Sequence, residues 1–385
     1  LANVMQLEVL DHWPDGLAQA WDALLVTQDA PTVFSSARWL QAWVETGCAA
    51  PEAGWRLRLF VLREQGELKA ACAGWLKSHS WGEFVFDQAW ARAYQHHGLA
   101  YYPKLVLALP FTPVPGSRLL ATDEGVRGEL LWAVQDWAGQ QGLSGTHLLF
   151  GSPADARAAQ LADQLAHGAS GWVRRQQSQF HWQRDAAWHS MDDFLGALRA
   201  DKRKKILQER RRVREAGVRV DFLAGAQASP QEWAWAYRCY AQTYGERGQQ
   251  PYLTPEFFQR TRSDWWLARA WLADQTIACA LLVEDQGVLY GRHWGALHSV
   301  PFLHFELCYY APLEWALQRG LHRFEGGAQG AHKLARGFMP VSTFSLHALH
   351  DPRFAAALQS FGEEEQAAVA AYEEELLAHA PFRAG

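Results

Sequence analysis

The sequence is poor in the residues that mark several function classes. Its five cysteines (Cys48, Cys72, Cys239, Cys279 and Cys308) are dispersed, and none stands in a CxxC pair. An odd, scattered set suits free thiols in a reducing compartment better than a disulfide framework, so a cytoplasmic protein is expected. The sixteen histidines include no HExxH and no paired Cys/His spacing, so no metal is expected. No apolar run approaches the ~18 residues of a membrane span. The first ten residues, LANVMQLEVL, lack the basic n-region and long apolar stretch of a signal peptide. Leu1 leaves open a trimmed start or a tag remnant before Met5. No GxGxxG follows a first strand, which excludes a doubly wound dinucleotide fold. The net charge of −5 and pI near 6.4 exclude a protein that coats nucleic acid along its whole surface, and DNA is not an expected partner.

What is abundant is apolar and aromatic. Hydrophobic residues make up 49 % of the chain and include twenty tryptophans. Burial is therefore not limiting, and rings of this size build core and cleft walls at low entropic cost. A chain of 385 residues exceeds one ordinary core, so two domains are expected.

Periodicity predicts helices over 15–27 and 36–47, the second capped by Ser35 or Ser36. Strands over 56–64 and 68–77 flank a Gln-Gly hairpin turn. A short strand after Trp81, a helix over 88–97 and a strand over 104–109 precede a loop stiffened by Pro110, Pro113 and Pro115. Helix 124–141, strand 145–150, helix 153–167 and strand 172–183 follow. A long helix is predicted over 192–216, ended by Gly217. Beyond it come strand 218–223, helices 230–244 and 255–262, and strands 265–273, 276–285 and 288–296. Helix 304–319, strand 321–325, a Gly-rich loop, strand 342–349 and a helical region over 352–378 complete the chain. Gly362 is expected to break the last.

Two segments match. Trp137–Leu143 and Trp315–Leu321 share the pattern WAxQxGL, 178 residues apart, each running from a helix end into a strand. The order of predicted elements around them also matches, so an internal duplication is expected. Its boundary falls near 184–191, giving domains of 1–187 and 188–385. Each half reads as an α/β (α+β type) layer fold, with a mixed, mostly antiparallel sheet flanked by helices.

Four stretches resemble a known family: FDQAWARAYQHHGLAYYPKLVLALPFTPVPGSRLL (86–120), LRADKRKKILQERRRV (198–213), GRHWG (291–295) and FELCYYAPLEWALQRGLHRFEGGAQGAHKLARGFMP (305–340). The family is a bacterial one of N-acyltransferases filed under peptidoglycan biosynthesis or recognition. It is similar to the Fem-type aminoacyltransferases. The resemblance covers about residues 15–355. It implies two tandem GNAT-like domains and transfer of an acyl or aminoacyl group to an amine. The donor it implies is an acyl-CoA or an aminoacyl-tRNA. The acceptor is a small molecule or a cell-wall precursor, with tRNA and peripheral membrane contact as further partners. One departure stands out: the family pattern has an acidic residue before His332, and Ala331 occupies that place.

The candidate site centres on the Gly-rich loop. Amine acylation needs a base, an oxyanion donor and, for a poor leaving group, an acid. Glu325, at a strand end, is the first choice for base or acceptor binding. Glu306, in the first turn of a helix, is the second, although a glutamate there also simply favours the helix dipole. His332 suits acid–base work near neutral pH. Gly326 and Gly327 allow close backbone approach, and Gln329, Lys333 and Arg336 offer polar contacts. His293 and Trp294 lie on the neighbouring strand, where at most one faces the loop. Tyr102 and Lys104 are candidates for an opposing wall, the alternative being ordinary packing. The helix after the boundary carries nine Lys/Arg from Arg199 to Arg214. Lys202, Arg203, Lys204, Lys205 and Arg211 form either an anion patch or a solvated face.

The GNAT phosphate turn would fall at 296–305, which lacks the glycine pair and contains Pro301. That weakens the acyl-CoA reading. The first-half counterpart of the Gly-rich segment, 148–158, lacks the glutamate, the GGAQG and the His-Lys pair, so 321–336 belongs to the working half. Two rivals remain: a noncatalytic module recognising a wall precursor or anionic partner, and an acyl-CoA-dependent small-amine acetyltransferase.

Overall fold

A computed structural model describes residues 5–168, 171–327 and 330–383. The chain runs twice through one order of elements. The first pass is β1 (Gln6–Leu10), α1 (Leu17–Leu25), α2 (Ala37–Glu45), β2 (Trp55–Glu64), β3 (Glu67–Lys77), α3 (Gln88–His96), β4 (Lys104–Leu107), β5 (Leu119–Ala121), α4 (Glu124–Gln140), β6 (Gly145–Leu149), α5 (Pro153–Leu165) and β7 (Val173–Gln183). Two helices, α6 (Met191–Ala197) and α7 (Ala200–Glu215), lead into the second pass. It comprises β8 (Val218–Ala224), α8 (Pro230–Gly245), α9 (Pro255–Thr261), β9 (Trp265–Leu272), β10 (Gln275–Asp285) and β11 (Val288–Ala296). It continues through α10 (Leu303–Phe305), a π turn (Glu306–Tyr310), α11 (Ala311–Gln318), β12 (Arg323–Glu325), a 3-10 turn (Ala331–Arg336), β13 (Met339–Leu349) and α12 (Pro352–Ala378).

The chain divides into two compact units. The first holds Leu1–Gln177 and Ser342–Ala370, the second Ser178–Val341 and Ala371–Gly385. Strands of the first unit follow the order β1-β2-β3-β4-β6-β13, and those of the second β8-β9-β10-β11-β12-β7. All neighbours are antiparallel except β4–β6 and β11–β12, which are parallel. The two orders are the same, and this is the tandem GNAT-like, mixed and mostly antiparallel architecture the resemblance implied.

Local chemistry explains the elements. Gln65-Gly66 and Gln286-Gly287 both take positive φ, the turn that suits the twist of a two-residue hairpin. Ser36 caps α2, and Ser152, Ser190 and Ser229 close capping boxes with Asp155, Asp193 and Glu232. The WAxQxGL pair is a repeated helix stop. Leu143 N–H donates to Ala138 O at 3.1 Å and Leu321 N–H to Ala316 O at 2.9 Å, across Gly142 (φ 69°) and Gly320 (φ 72°). Both are Schellman caps, which need the left-handed conformation at that glycine.

Four expectations give way to tertiary packing. The predicted helix 192–216 is broken at Leu198, whose backbone is extended (ψ 152°) and whose side chain is buried. Arg199 N–H donates to Pro381 O there instead of continuing a helix. Gly362 does not break α12. A Cβ at that position would meet Val173 Cγ1 at 2.5 Å, so the glycine serves close packing. The segment after Trp81 forms no strand, and β1 and β5 arise where no strand was expected.

Candidate active site in the second unit

Glu325 ends a three-residue strand held between two others. Its register partners are His181 on β7 and Tyr290 on β11, so the three side chains share one face of the sheet. All three are buried. Arg323, two residues earlier and therefore on the same face, brings Nε to 3.1 Å from Glu325 Oε1, but that N–H is not aligned for a hydrogen bond. His181 Nε2 lies 3.8 Å from the other carboxylate oxygen and 3.1 Å from Gln179 Oε1. Burial holds the His181 ring neutral, pushing its pKa down to about 3. Burial likewise pushes Glu325 up to about 7, against the opposing pull of Arg323 and Arg292. A carboxyl poised near neutrality can both take and return a proton.

The glycines after Glu325 admit a cation. A Cβ on Gly326 would stand 3.2 Å from Tyr309 and Phe338 and 3.6 Å from Lys333 Cε. Gly327 takes φ 90°, and its carbonyl accepts from Lys333 Nζ at 2.7 Å. Lys333 is buried, and desolvation draws its ammonium down to about 8. Among the described residues, no carboxylate lies within ion-pair distance of it. His332 is exposed, with Nε2 3.3 Å from Tyr309 OH; partial desolvation of its ring, then Arg336 and Lys333, lowers its pKa. Gln329 lies outside the described residues.

The remaining candidates sit elsewhere or are engaged. Arg336 donates from Nη2 to Glu209 Oε2 at 3.0 Å and from Nη1 to His332 O at 2.8 Å, and stacks on Phe305 at 3.6 Å. Glu306 occupies the π turn, where Arg210 holds both of its oxygens. His293 packs into the rings of Tyr240, Phe258 and Trp265, whereas Trp294, on the opposite face, meets His304 at 4.5 Å. On α7, Ile206, Glu209 and Val213 face inward. Lys204, Lys205 and Arg211 are exposed, and Lys202 and Arg203 are half-buried. Lys202 pairs with Asp201 at 3.2 Å and Arg211 with Glu215 at 3.6 Å.

Tyr102 and Lys104 belong to the first unit. Lys104 is buried there and donates to Ser80 Oγ at 3.0 Å, to Glu83 Oε2 at 2.7 Å and to Asp87 Oδ2. Tyr102 OH lies 2.8 Å from Ser80 Oγ, and Tyr101 OH donates to Asp87 at 2.7 Å. Lys77, also buried, is pushed down to about 7 by desolvation.

A family model described by peptidoglycan biosynthesis/recognition, FemAB-like, matches residues 17–384. The chain belongs to the FemAB-like family. None of the curated proteins matches it. Among solved structures, this FemAB-like chain is similar to FemX, at 12 % identity over 91 % of this chain and 100 % of that one, with a TM-score of 0.52. It is similar also to the C-terminal domain of a putative lysylphosphatidylglycerol synthetase from Agrobacterium fabrum (11 %, 89 % and 93 %, TM-score 0.53). The L-PGS structure from Bacillus licheniformis gives 9 %, 91 % and 98 %, with a TM-score of 0.50. At such identities the likeness is one of fold. No described helix is long and apolar enough to cross a membrane, and no cluster of metal-ligating side chains occurs among the described residues.

Sequence reasoning passed over the groups that set the state of Glu325. Arg323 was findable, because a cation two residues before a strand carboxylate shares its face. His181 was not. It reaches Glu325 through β7, the strand that closes the first pass in the chain yet pairs in the second unit.

Proposed function

We propose that this FemAB-like chain is an N-acyl- or aminoacyltransferase that moves an acyl group onto an amine, with a peptidoglycan precursor as acceptor. The observation that carries this reading is Glu325, a buried carboxyl with its pKa near 7 that leads into the Gly326–Gly327 backbone, where Lys333 donates to Gly327 O. In this reading the acceptor enters as the neutral amine, its ammonium proton lost to solvent, and as it attacks the acyl carbonyl Glu325 takes the second proton from its nitrogen. The Lys333 ammonium stabilises the oxyanion, and protonated Glu325 returns its proton to the departing oxygen or sulfur. Positioning of both substrates supplies the rest of the rate. A thiol nucleophile is not invoked: burial raises the pKa of Cys72, Cys239, Cys279 and Cys308.

The turn before α10 favours an aminoacyl-tRNA donor over acyl-CoA. Pro301 has no N–H, Phe302 caps the helix at φ 66°, and the adjoining pocket, of about 450 Å³, has no lysine or arginine in its lining. A pyrophosphate would find neither a glycine nest nor a cation there.

The test is a donor screen of charged tRNAs and acyl thioesters with amine acceptors, read by mass spectrometry, followed by Glu325→Gln. Transfer is expected to drop at least about 100-fold while substrate binding survives. A full rate in the variant would remove Glu325 from the chemistry. Binding of a wall precursor with no transfer from any donor would instead favour the recognition module.

A further inference from the structure

We propose that the exposed face of α7 is a docking surface for the phosphate backbone of RNA, the body of the tRNA donor favoured above. The proposal rests on that donor reading and deepens it. The stretch from Arg199 to Glu215 holds nine Lys/Arg against three Asp/Glu. In a chain of net charge −5 this is a local excess of six cations, which leaves −11 on the rest. Charge segregated in this way is an electrostatic footprint that the overall pI conceals. Four of these cations form an array. Lys204 and Arg211, two helical turns apart, share one line along α7, and Lys205 and Arg212 share the next, the charges in each line about 10.5 Å apart along the axis. All four are exposed. Lys204 and Lys205 have no carboxylate within ion-pair distance among the described residues. Arg211 and Arg212 share one carboxylate, Glu215, at 3.6 and 3.9 Å, beyond hydrogen-bonding distance. Exposed pairs of this kind hold little energy, so the array can turn to a polyanion.

The array adjoins the Gly-rich turn. Lys205 and Arg212 stand four residues before and three after Glu209, so they are its neighbours on the helix surface. Glu209 holds Arg336 at 3.0 Å, at the end of the 3-10 turn that carries His332 and Lys333. A donor that reacts at that turn and extends past Arg336 meets these cations. An extended polyanion is the chemistry that fits. A single phosphate would leave part of the array unused. A helix that lies on a bilayer turns an apolar face outward. On α7 the apolar residues Ile206 and Val213 are buried, and Leu207, 44 % exposed, is the one large apolar side chain that faces out.

Filter binding of uncharged tRNA to the full chain over a salt series tests the proposal. The parent is expected to bind with an affinity that falls steeply as salt rises. Lys204→Gln, Lys205→Gln, Arg211→Gln and Arg212→Gln together are expected to weaken binding at least about tenfold at about 0.1 M salt and to lower the salt slope by about 3. The circular dichroism spectrum is expected to stay the same, because all four side chains are exposed. A charge-keeping variant, with Lys204→Arg, Lys205→Arg, Arg211→Lys and Arg212→Lys, is expected to bind within about threefold of the parent, since phosphate neutralisation reads charge. Phosphatidylglycerol vesicles are expected to leave the bound tRNA in place. No binding by the parent, equal affinity in the glutamine variant, an equal loss in the charge-keeping variant, or displacement of tRNA by the vesicles overturns the proposal. Array-dependent tRNA binding together with transfer from acyl thioesters alone would uphold the RNA surface and overturn only the donor reading.

Discussion

Burial keeps the carboxyl of Glu325 protonated up to about pH 7, and this has a sign in stability as well as in rate. Its pKa stands at 4.5 when unperturbed and about 7 in the fold. The folded state therefore binds the extra proton between those values. The stabilisation is complete below about 4.5 and is lost as pH rises through 7, a swing of about 3 kcal/mol. In urea unfolding, Glu325→Gln is expected to gain about that much relative to the parent chain between pH 4.5 and pH 8. A parallel pH dependence in the two proteins would show that the carboxyl is solvated. Lys333 carries the complementary expectation. Lys333→Met removes the proposed oxyanion donor and is expected to lower kcat at least about 100-fold with little change in KM. A loss confined to KM would assign Lys333 to ground-state binding. Glu325 and Lys333 could be read from sequence because both flank a run of glycines. The poise of Glu325 could not, since it depends on which strands lie beside it.

At the scale of elements, α7 combines two roles that composition merged. Its exposed face carries Lys204, Lys205 and Arg211, as a basic stripe predicts. Its buried face carries Glu209, which holds Arg336 and accepts from Tyr310 OH. Glu209→Ala strands a buried guanidinium and is expected to cost about 3–5 kcal/mol in urea unfolding. A cost near zero would mean that Arg336 turns out to solvent. The two Schellman glycines test the helix stops. Gly142→Ala and Gly320→Ala force a β-carbon into the left-handed region, and a Cβ would meet nothing closer than 3.6 Å at either site. Each is expected to cost about 1–2 kcal/mol from backbone strain alone. Helix ends were legible because glycine has few other reasons to follow WAxQ. The break at Leu198 was hidden, since its partner, Phe382, is distant in sequence.

For the molecule as a whole, the WAxQxGL match announced a duplication, and the strand orders of the two units repeat it. Which unit contributes which strand was not legible. β7 closes the first pass and β13 the second, and they pair in exchanged order, β7 with β12 and β13 with β6. Hydrophobic patterning marks a strand but not its neighbour. The units also differ where the repeat predicts correspondence. β12 is followed by Gly326, Gly327 and, further on, Lys333. After β6 the chain closes into the Ser152–Asp155 capping box, with Asp155 accepting from the backbone of Arg118, Leu119 and Ser152. The proposed chemistry is placed in the second unit because the first has no counterpart there of Glu325 and Lys333.

The most direct test of that assignment is the pH dependence of kcat/KM for transfer, with the donor and acceptor that the screen identifies, in the parent chain and in Glu325→Gln. The account predicts an acid limb with an apparent pKa of about 7 in the parent. In the variant it predicts a rate at least about 100-fold lower, with that limb gone. An acid limb that persists unchanged in Glu325→Gln would contradict it.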